Sequence, residues 1–429
     1  MVNDMIMRAL KCFLVFSFAL MASDAEAKSG ASPNAAETNV GSALDAFVAN
    51  QQLAGYVTVL MKDGKHVAIN IRGYADIETR RPMKRDTIFR IYSMTKPVTG
   101  VALMILHDRG KWKFSDPISK FLPELANLKV YRGVDAAGNL LSEPAASQPT
   151  MGQLVTHTAG FLYGFGPTPV DREYQKHVPL IPTAVEASDY LSGLAKIPLA
   201  FEPGTQWHYS IAMDLEGIIV ERLSGKTLRA FMKAEIFDLL QMVDTDFLVP
   251  PAKRDRLATL YDGQSGKLTA ITSGPFADTY AATPVTASGG GGLVSTVDDY
   301  ARFASMLLNQ GRLDGRRILS KRATKAIMTN RLSPALINAG FGIGIQQIRP
   351  GYEYGVNGVV VTDPAKAGVA MGKGSYLWDG AGGTWFWVDP ANKIVFVGMI
   401  QRLAAEGGPN VQDASQRAVA ASFALAELR

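Results

Sequence analysis

Hydrophobic and polar residues alternate in two neighbouring stretches near the start of the chain, at residues 55–61 and 66–73. A period of two predicts β-strands with one buried face, and the short polar segment between them, which contains a glycine, predicts a hairpin turn. A third apolar run, at 88–92, leads into an apolar helical pattern from about 93 to 107. This part of the chain therefore predicts a hairpin, a further strand and a buried helix.

Beyond this point the apolar residues mostly follow a helical period, and strand patterns return only towards the end of the chain. The predicted helices outside the first buried one are 41–50, 152–157, 184–194, 213–223, 228–240, 297–309, 321–329 and 412–428. The predicted C-terminal strands are 341–348, 358–362, 384–388 and 394–401.

This order of elements predicts an α/β (α+β) fold in which the strands from both ends of the chain share one sheet. The first and last helices are expected to cover that sheet, and the helices between them to form an inserted α-helical domain. The α/β part is expected at about 28–110 and 285–429, and the helical part at about 111–284.

The N-terminus has the three parts of a secretory signal. Two basic residues precede an apolar run at 12–21, and the small-residue motif Ala25-Glu26-Ala27 follows it. The alternative is an N-terminal membrane anchor, but the run is far shorter than the ~20 residues that cross a bilayer. We predict a signal peptide over residues 1–27 and an exported mature chain over 28–429, periplasmic or secreted, with no membrane span.

The composition and the absence of certain motifs argue against several classes of function. The chain of 429 residues has a formal net charge of +5 with scattered lysines and arginines, so no nucleic-acid partner is predicted. Cys12 is the only cysteine and lies in the predicted signal peptide, so the mature chain should hold no disulfide. The five histidines lack metal-ligand spacing, and neither a metal nor a cofactor is predicted. The G-x-S-x-G, Walker A and H-E-x-x-H motifs are absent.

Ser93-Met94-Thr95-Lys96 is the strongest candidate for chemistry. It opens a helix directly after a strand, and residues three apart lie on one face of a helix, so the Lys96 amine can reach the Ser93 hydroxyl. The helix N-terminus also offers unpaired N–H groups and a favourable dipole to a developing negative charge. A nucleophile for acyl transfer needs such a base and such stabilisation. The alternative is a helix-capping serine followed by a surface lysine.

Two further segments carry candidate groups. Tyr209 lies at a loop-to-helix junction, where its phenol could exchange a proton with a lysine, although a tyrosine there is more often a packing residue. The stretch 374–383 is rich in glycine and leads into a predicted strand, so a backbone N–H there could contribute to an oxyanion hole. A plain hairpin turn would explain the same glycines.

Taken together, these motifs resemble the class C-like branch of the serine β-lactamase and penicillin-binding-protein superfamily. Within it the chain is most similar to the family VIII carboxylesterases. Ile211 stands where the β-lactamases have the asparagine of Tyr-x-Asn, and Trp378-Asp379-Gly380 replaces their Lys-Thr-Gly. Asp379 also departs from the Trp-Gly-Gly of the esterases. The resembling segments are 93–96, 154–160, 203–210, 289–300 and 378–390.

The resemblance implies a central antiparallel sheet and a role for each site residue. Ser93 would attack the ester carbonyl, and either Lys96 or Tyr209 would accept its proton. Tyr209 would then protonate the leaving alcohol. The backbone N–H groups of Ser93 and Ala381 would hold the oxyanion. The residues expected to bind the substrate are Trp378, Gly380, Phe161 and Tyr163.

The function predicted from these features is an exported serine carboxylesterase acting on small, short-acyl esters, with weak β-lactam hydrolysis as a side activity. Its expected partner is a small-molecule ester. One alternative is a class C-like β-lactamase or D-amino-acid peptidase. Another is a sensor that becomes acylated and does not turn over, and a third is a transferase that passes the acyl group to an alcohol.

Overall fold

The computed structural model describes residues 33–263, 266–274, 276–277, 280–339, 342–343, 346–347, 350–403 and 410–423. The predicted signal peptide and Cys12 lie outside the described residues. Within these ranges, no helix is both long enough and apolar enough to cross a bilayer.

The described strands are numbered in chain order. They are β1 Gly55–Lys62, β2 Lys65–Asp76, β3 Arg81–Pro82, β4 Phe89–Arg90, β5 Lys129–Val134, β6 Leu140–Pro144, β7 Tyr261–Asp262, β8 Thr269–Ala270, β9 Val294–Ser295, β10 Arg312–Leu313, β11 Arg316–Arg317, β12 Gly342–Ile343, β13 Gln346–Gln347, β14 Tyr352–Tyr354, β15 Val359–Val361, β16 Tyr376–Asp379, β17 Trp385–Asp389 and β18 Ile394–Met399.

The described helices are also numbered in chain order. They are α1 Pro33–Ala49, α2 Thr95–Asp108, α3 Met151–Leu154, α4 Pro169–His177, α5 Ala187–Leu194, α6 Ala212–Ser224, α7 Leu228–Met232, α8 Asp238–Leu240, α9 Val297–Leu308, α10 Lys321–Ile327, α11 Pro334–Ala339, α12 Pro364–Ala367 and α13 Val411–Ser422.

Strands from both ends of the chain form one sheet of eight, in the order β14-β15-β16-β17-β18-β1-β2-β3. The pairing of β1 with β18 joins the N-terminal hairpin to the C-terminal strands, and all neighbours in the sheet run antiparallel. The predicted shared antiparallel sheet is therefore confirmed.

The hairpin of β1 and β2 forms where the alternating pattern predicted it. Asp63 and Gly64 occupy its turn with φ values of 52° and 76°, and Lys62 pairs directly with Lys65. A two-residue turn with both central residues at positive φ matches the right-handed twist of the flanking strands. Asparagine, aspartate and glycine adopt this conformation most readily, which explains the local sequence.

Neighbouring residues of β17 show which layer covers each face of the sheet. The Trp385 indole donates a hydrogen bond to Ser415 of α13, at 3.2 Å. The Phe386 ring packs against Tyr300 of α9, with ring centroids 4.9 Å apart. Because successive side chains of a strand point to opposite faces, α13 and α9 lie on opposite sides of the sheet. Helix α1 packs on both α13 and β2, so the terminal helices cover one face as predicted.

Other elements differ from the sequence expectations. The run at 88–92 supplies only β4, which pairs with β9 outside the large sheet. The pattern at 228–240 is helical throughout, but Lys233–Phe237 forms a π-helical turn between α7 and α8. Helix α4, the β5–β6 hairpin and strands β14 and β16 were not predicted. Their short or glycine-rich sequences carry too few periods to show a pattern.

Two predicted elements fall partly outside the described residues. Of the strand expected at 341–348, β12 and β13 are described, and they pair antiparallel with each other. Of the helix expected at 412–428, α13 is described, and residues 424–428 lie outside. The boundaries between the α/β part and the helical part stay a prediction.

Candidate active site

Ser93 lies in the 3₁₀ turn Tyr92–Met94, between strand β4 and helix α2. The α-helix that was expected to begin at Ser93 begins at Thr95. Tyr92 has a φ of 39°, in the left-handed region that non-glycine residues rarely adopt. Such a sharp turn from strand to helix presents the Ser93 side chain at the helix N-terminus, 8% exposed.

Lys96 and Tyr209 both point at the Ser93 hydroxyl. The Lys96 Nζ lies 3.0 Å from Ser93 Oγ and also donates a hydrogen bond of 2.6 Å to the carbonyl oxygen of Gly290. The Tyr209 phenol donates to Ser93 Oγ at 2.7 Å. The structure thus brings together the three side chains that the sequence singled out.

Burial sets the electrostatics of this trio. Lys96 is fully buried, and loss of hydration lowers its pKa to about 7, although the carboxylates of Asp214, Asp379 and Glu216 act in the opposite direction. Burial raises the pKa of Tyr209, opposed in part by its hydrogen bond to Ser93. Near neutral pH a large fraction of Lys96 is therefore an unprotonated amine, while Tyr209 keeps its proton.

The glycine-containing segment 289–295 packs against the start of α2. Gly290 supplies the carbonyl that accepts from Lys96, and the Thr99 hydroxyl donates to the carbonyl of Gly289 at 2.7 Å. Asp214, in α6, holds this segment in place. Its Oδ1 accepts hydrogen bonds from the Ser288 hydroxyl at 2.6 Å and from the Gly290 N–H at 3.1 Å.

Asp214 is a site residue that the sequence analysis missed. It is 2% exposed and lines the cavity described below, and burial raises the pKa of its carboxyl group. One sequence feature could have identified Asp214 as a site residue. It is an acidic residue in the apolar first turn of a predicted helix, five positions after Tyr209. That signal is weak, since an acid at a helix N-terminus also complements the helix dipole.

A tight turn after β16 brings Ala381 beside Ser93. The Gly380 N–H donates to the Thr384 carbonyl, and the Gly383 N–H donates to the Gly380 carbonyl, each at 2.8 Å. A Cβ at Gly380 would overlap the carbonyl oxygen of Ile91, two residues before the serine. Only glycine therefore allows this turn to approach the nucleophile segment so closely.

An open cavity with an empty volume of about 500 Å³, including space continuous with solvent, lies over the serine. Its lining contains four predicted site residues, Ser93, Tyr209, Tyr163 and Ala381. Most of the remaining lining is apolar or aromatic. The other lining residues are Tyr92, Phe165, Leu180, Ile181, Asp214, Phe276, Ser288, Gly290 and Gly291.

Three residues predicted to bind substrate do not line this cavity, and their role in binding stays a prediction. Phe161 is 3% exposed and belongs to the hydrophobic core. Gly380 serves the turn described above. The Trp378 ring is covered by the rings of Tyr209 and Tyr354, at centroid distances of 5.8 and 5.6 Å.

Asp379 points away from this cavity. It follows Trp378 in β16, so its side chain lies on the opposite face of the sheet, where its Oδ2 accepts a hydrogen bond of 2.9 Å from Gln412 of α13. Burial raises the pKa of Asp379 to about 6. Its departure from the esterase pattern therefore affects the docking of the C-terminal helix more directly than the lining of the cavity.

The described residues contain no group of three or more His, Cys, Asp or Glu side chains placed to hold a metal ion. His157, which has a φ of 58°, is buried beside the site. Its Nδ1 accepts the backbone N–H of Ser210 at 3.2 Å. Burial and the nearby Lys96 lower the pKa of His157, so it is a neutral packing and hydrogen-bonding residue.

Comparison with known proteins places this geometry in a family. The family model described as Beta-lactamase matches residues 40–421. An uncharacterised protein of Mycobacterium tuberculosis is 37% identical over 388 residues, 88% of this chain and 92% of that protein. Esterase EstB of Burkholderia gladioli is 30% identical over 370 residues, 81% of this chain and 86% of the esterase.

Solved structures with the same fold include another hydrolase. EstCE1, described as a hydrolase with promiscuous acyltransferase activity, aligns with a TM-score of 0.73 and 23% identity, over 90% of this chain and 99% of its own. The central antiparallel sheet, its flanking helices and the inserted helices are thus those of the β-lactamase and transpeptidase fold. The chain belongs to the beta-lactamase family and is a serine hydrolase of the family VIII esterase type.

Proposed function

We propose that this hydrolase is a carboxylesterase that cleaves small, short-acyl esters through an acyl-enzyme on Ser93. The observation that carries the proposal is the contact of the Lys96 amine and the Tyr209 phenol with one serine hydroxyl, at 3.0 and 2.7 Å, at the base of a mainly apolar cavity. The similarity to Esterase EstB supports ester substrates.

In the acylation step, unprotonated Lys96 accepts the Ser93 proton while Oγ forms a bond to the ester carbonyl carbon. The backbone N–H groups of Ser93 and Ala381 hold the resulting oxyanion, and each such donor typically lowers the barrier by about 3–4 kcal/mol. The C–O bond to the alcohol then breaks as Tyr209 gives its proton to the leaving oxygen. The proton on Lys96 passes to the Tyr209 oxygen and restores both groups.

The pKa directions favour Lys96 over Tyr209 as the base. A general base is most effective when its pKa lies near the working pH, and burial brings that of Lys96 to about 7. Burial moves the pKa of Tyr209 upwards, away from neutrality. Tyr209 therefore holds its proton at neutral pH, the form in which a general acid must start. In deacylation, a water molecule takes the place of the alcohol and the same proton transfers run in reverse.

The lining of the cavity favours esters that carry no carboxylate over β-lactams. The lining includes the apolar side chains of Phe165, Leu180 and Ile181, and among the described lining residues only Asp214 is acidic. A substrate carboxylate would meet that buried negative charge without the bidentate cationic partner that usually binds it. The positions of the β-lactamase amide and lysine hold Ile211 and a buried tryptophan.

The test is steady-state hydrolysis of p-nitrophenyl butyrate and nitrocefin by the wild type, Ser93→Ala and the control Ser147→Ala. Ser147 is exposed and far from the site in sequence. Ester turnover should disappear in Ser93→Ala, whose circular dichroism stays unchanged, and persist in Ser147→Ala. Substantial turnover by Ser93→Ala would overturn the mechanism.

The same assay separates the alternatives. A nitrocefin rate above the ester rate would make the protein a β-lactamase. A single burst of p-nitrophenol without turnover would indicate a sensor that stays acylated. Formation of methyl butyrate on adding methanol, in preference to butyrate, would identify an acyltransferase.

A further inference from the structure

The Asp214 carboxylate carries one oxygen that the fold leaves without a partner. Oδ1 accepts from Ser288 and from the Gly290 N–H, as described above, and so fixes the segment that binds Lys96. Oδ2 accepts no hydrogen bond from any residue within the described ranges. Asp214 as a whole is only 2% exposed, so Oδ2 faces little besides the cavity, and a charged oxygen of so buried a side chain is stabilised when a hydrogen-bond donor reaches it.

The unpaired oxygen lies in the substrate cavity. Asp214, Tyr163, Ser288 and Gly290 all line it. A Cβ added to Gly290 would stand 2.8 Å from Asp214 Oδ2 and 3.0 Å from the Tyr163 hydroxyl oxygen. The two oxygen atoms therefore lie on the same side of Gly290, close enough together for one small polar group in the cavity to contact both. This part of the cavity is bounded by a hydrogen-bond acceptor with negative charge and by a phenol.

Lys96 is the cation that acts on Asp214, but its amine is already engaged. That amine contacts Ser93 Oγ and the Gly290 carbonyl, and it must lose its proton to act as the base proposed above. During catalysis Asp214 therefore faces a neutral amine. A group that brings a positive charge and N–H donors into this part of the cavity would satisfy Oδ2 and balance the buried charge.

We propose that Asp214 Oδ2 forms a subsite for a primary ammonium group of the ester substrate, so that the enzyme prefers amino-substituted short esters over their neutral isosteres. This inference rests on the esterase function proposed above and narrows its substrate class. Tyr163 completes the subsite, since its hydroxyl can accept one ammonium N–H. The negative charge of Asp214 would also disfavour esters that carry a carboxylate.

The experiment compares isosteric pairs of esters on the same enzyme. On the acyl side, β-alanine methyl ester is compared with methyl butyrate. On the alcohol side, 4-(aminomethyl)benzyl butyrate is compared with 4-ethylbenzyl butyrate. The measured quantity is the ratio of kcat/KM for the ammonium ester to that for the neutral ester. A ratio cancels any general loss of catalytic power in a variant.

Asp214→Asn keeps an oxygen acceptor for Ser288 and Gly290 and removes the charge. It should lower the ratio about tenfold to a hundredfold for at least one pair, the size expected for a hydrogen bond to a charged group. The matched control is Asp379→Asn, because Asp379 also acts on the charge of Lys96 but lies outside the cavity lining. Its ratio should equal that of the wild type.

An unchanged ratio in Asp214→Asn for both pairs would overturn the proposal, as would an equal fall in Asp379→Asn. If the ratio were unchanged and the enzyme still hydrolysed methyl butyrate rapidly, only the ammonium subsite would be refuted and the esterase function would be retained. If the wild type turned over none of these esters and did not hydrolyse p-nitrophenyl butyrate either, the esterase proposal itself would fail. Calorimetric binding of the same pairs to Ser93→Ala then still decides whether Asp214 selects the ammonium group.

Discussion

Replacing Tyr209 by phenylalanine tests whether Lys96 acts as the general base and Tyr209 as the general acid at Ser93. The change removes the phenol that lies 2.7 Å from Ser93 Oγ and leaves the Lys96 contact in place. If Tyr209 protonates the leaving alcohol, an ester of a poor leaving group should lose about 10²–10⁴ in kcat/KM. That loss corresponds to about 3–5 kcal/mol of barrier.

The assay compares ethyl butyrate with p-nitrophenyl butyrate over a range of pH. The p-nitrophenolate ion leaves readily without a proton, so its ester should lose much less activity in Tyr209→Phe. Because the pKa of Lys96 is lowered to about 7, kcat/KM should rise with pH through that region as the amine becomes unprotonated. This acidic limb should remain in Tyr209→Phe.

Tyr163→Phe is the matched control, since it removes a phenol from the same cavity that does not contact Ser93. It should retain more ethyl butyrate activity than Tyr209→Phe. Equal losses on both esters in Tyr209→Phe, together with disappearance of the acidic limb, would mean that Tyr209 is the base. The assignment of Lys96 as the base and Tyr209 as the acid would then be wrong.

Three further predictions concern the turn, the sheet and the N-terminus. Gly380→Ala should lower kcat/KM for p-nitrophenyl butyrate about 10²-fold, because the new Cβ displaces the turn from Ile91; an unaltered rate would contradict this. Asp379→Asn should stabilise the fold above pH 6 by up to about 3 kcal/mol in denaturant unfolding, since the raised pKa of Asp379 makes its buried charge unfavourable there. The gain should vanish as falling pH protonates the carboxyl group in both states, whereas destabilisation at every pH would show that its bond to Gln412 dominates. Mass spectrometry of the exported protein should find Lys28 as the first residue, and retention of residues 1–27 would favour the anchor.

Several parts of the site depend on the spacing of residues that are close in the sequence, and these parts could be predicted from it. Ser93 and Lys96 are three residues apart at the start of a helix, and helix geometry alone brings such residues together. The hairpin turn and its flanking strands followed from a period of two. The glycines near Ala381 indicated a close approach of backbone, although a plain hairpin explained them equally well.

Other parts depend on contacts between distant segments. Tyr209 is 116 positions from Ser93, and its place at a loop-to-helix junction allowed a packing role equally, so its contact with Ser93 was expected mainly through the resemblance to known esterases. The carbonyl of Gly290 that accepts from Lys96 has no sequence signal, since every residue has a carbonyl. Phe161 and Trp378 were expected to bind substrate through the resemblance to known esterases, and in the structure neighbouring elements bury both side chains.

The amino-acid sequence was sufficient to predict that strands from both chain ends share a sheet, which the structure confirms, and to select Ser93 and Lys96 as the candidate nucleophile and base. These features follow from spacing and periodicity, which are properties of consecutive residues. The directions of two carboxylates could be learned only from the folded molecule, in which Asp379 faces the C-terminal helix and Asp214 lines the cavity. The orientation of a carboxylate depends on which elements pack around it, and no local pattern records that packing.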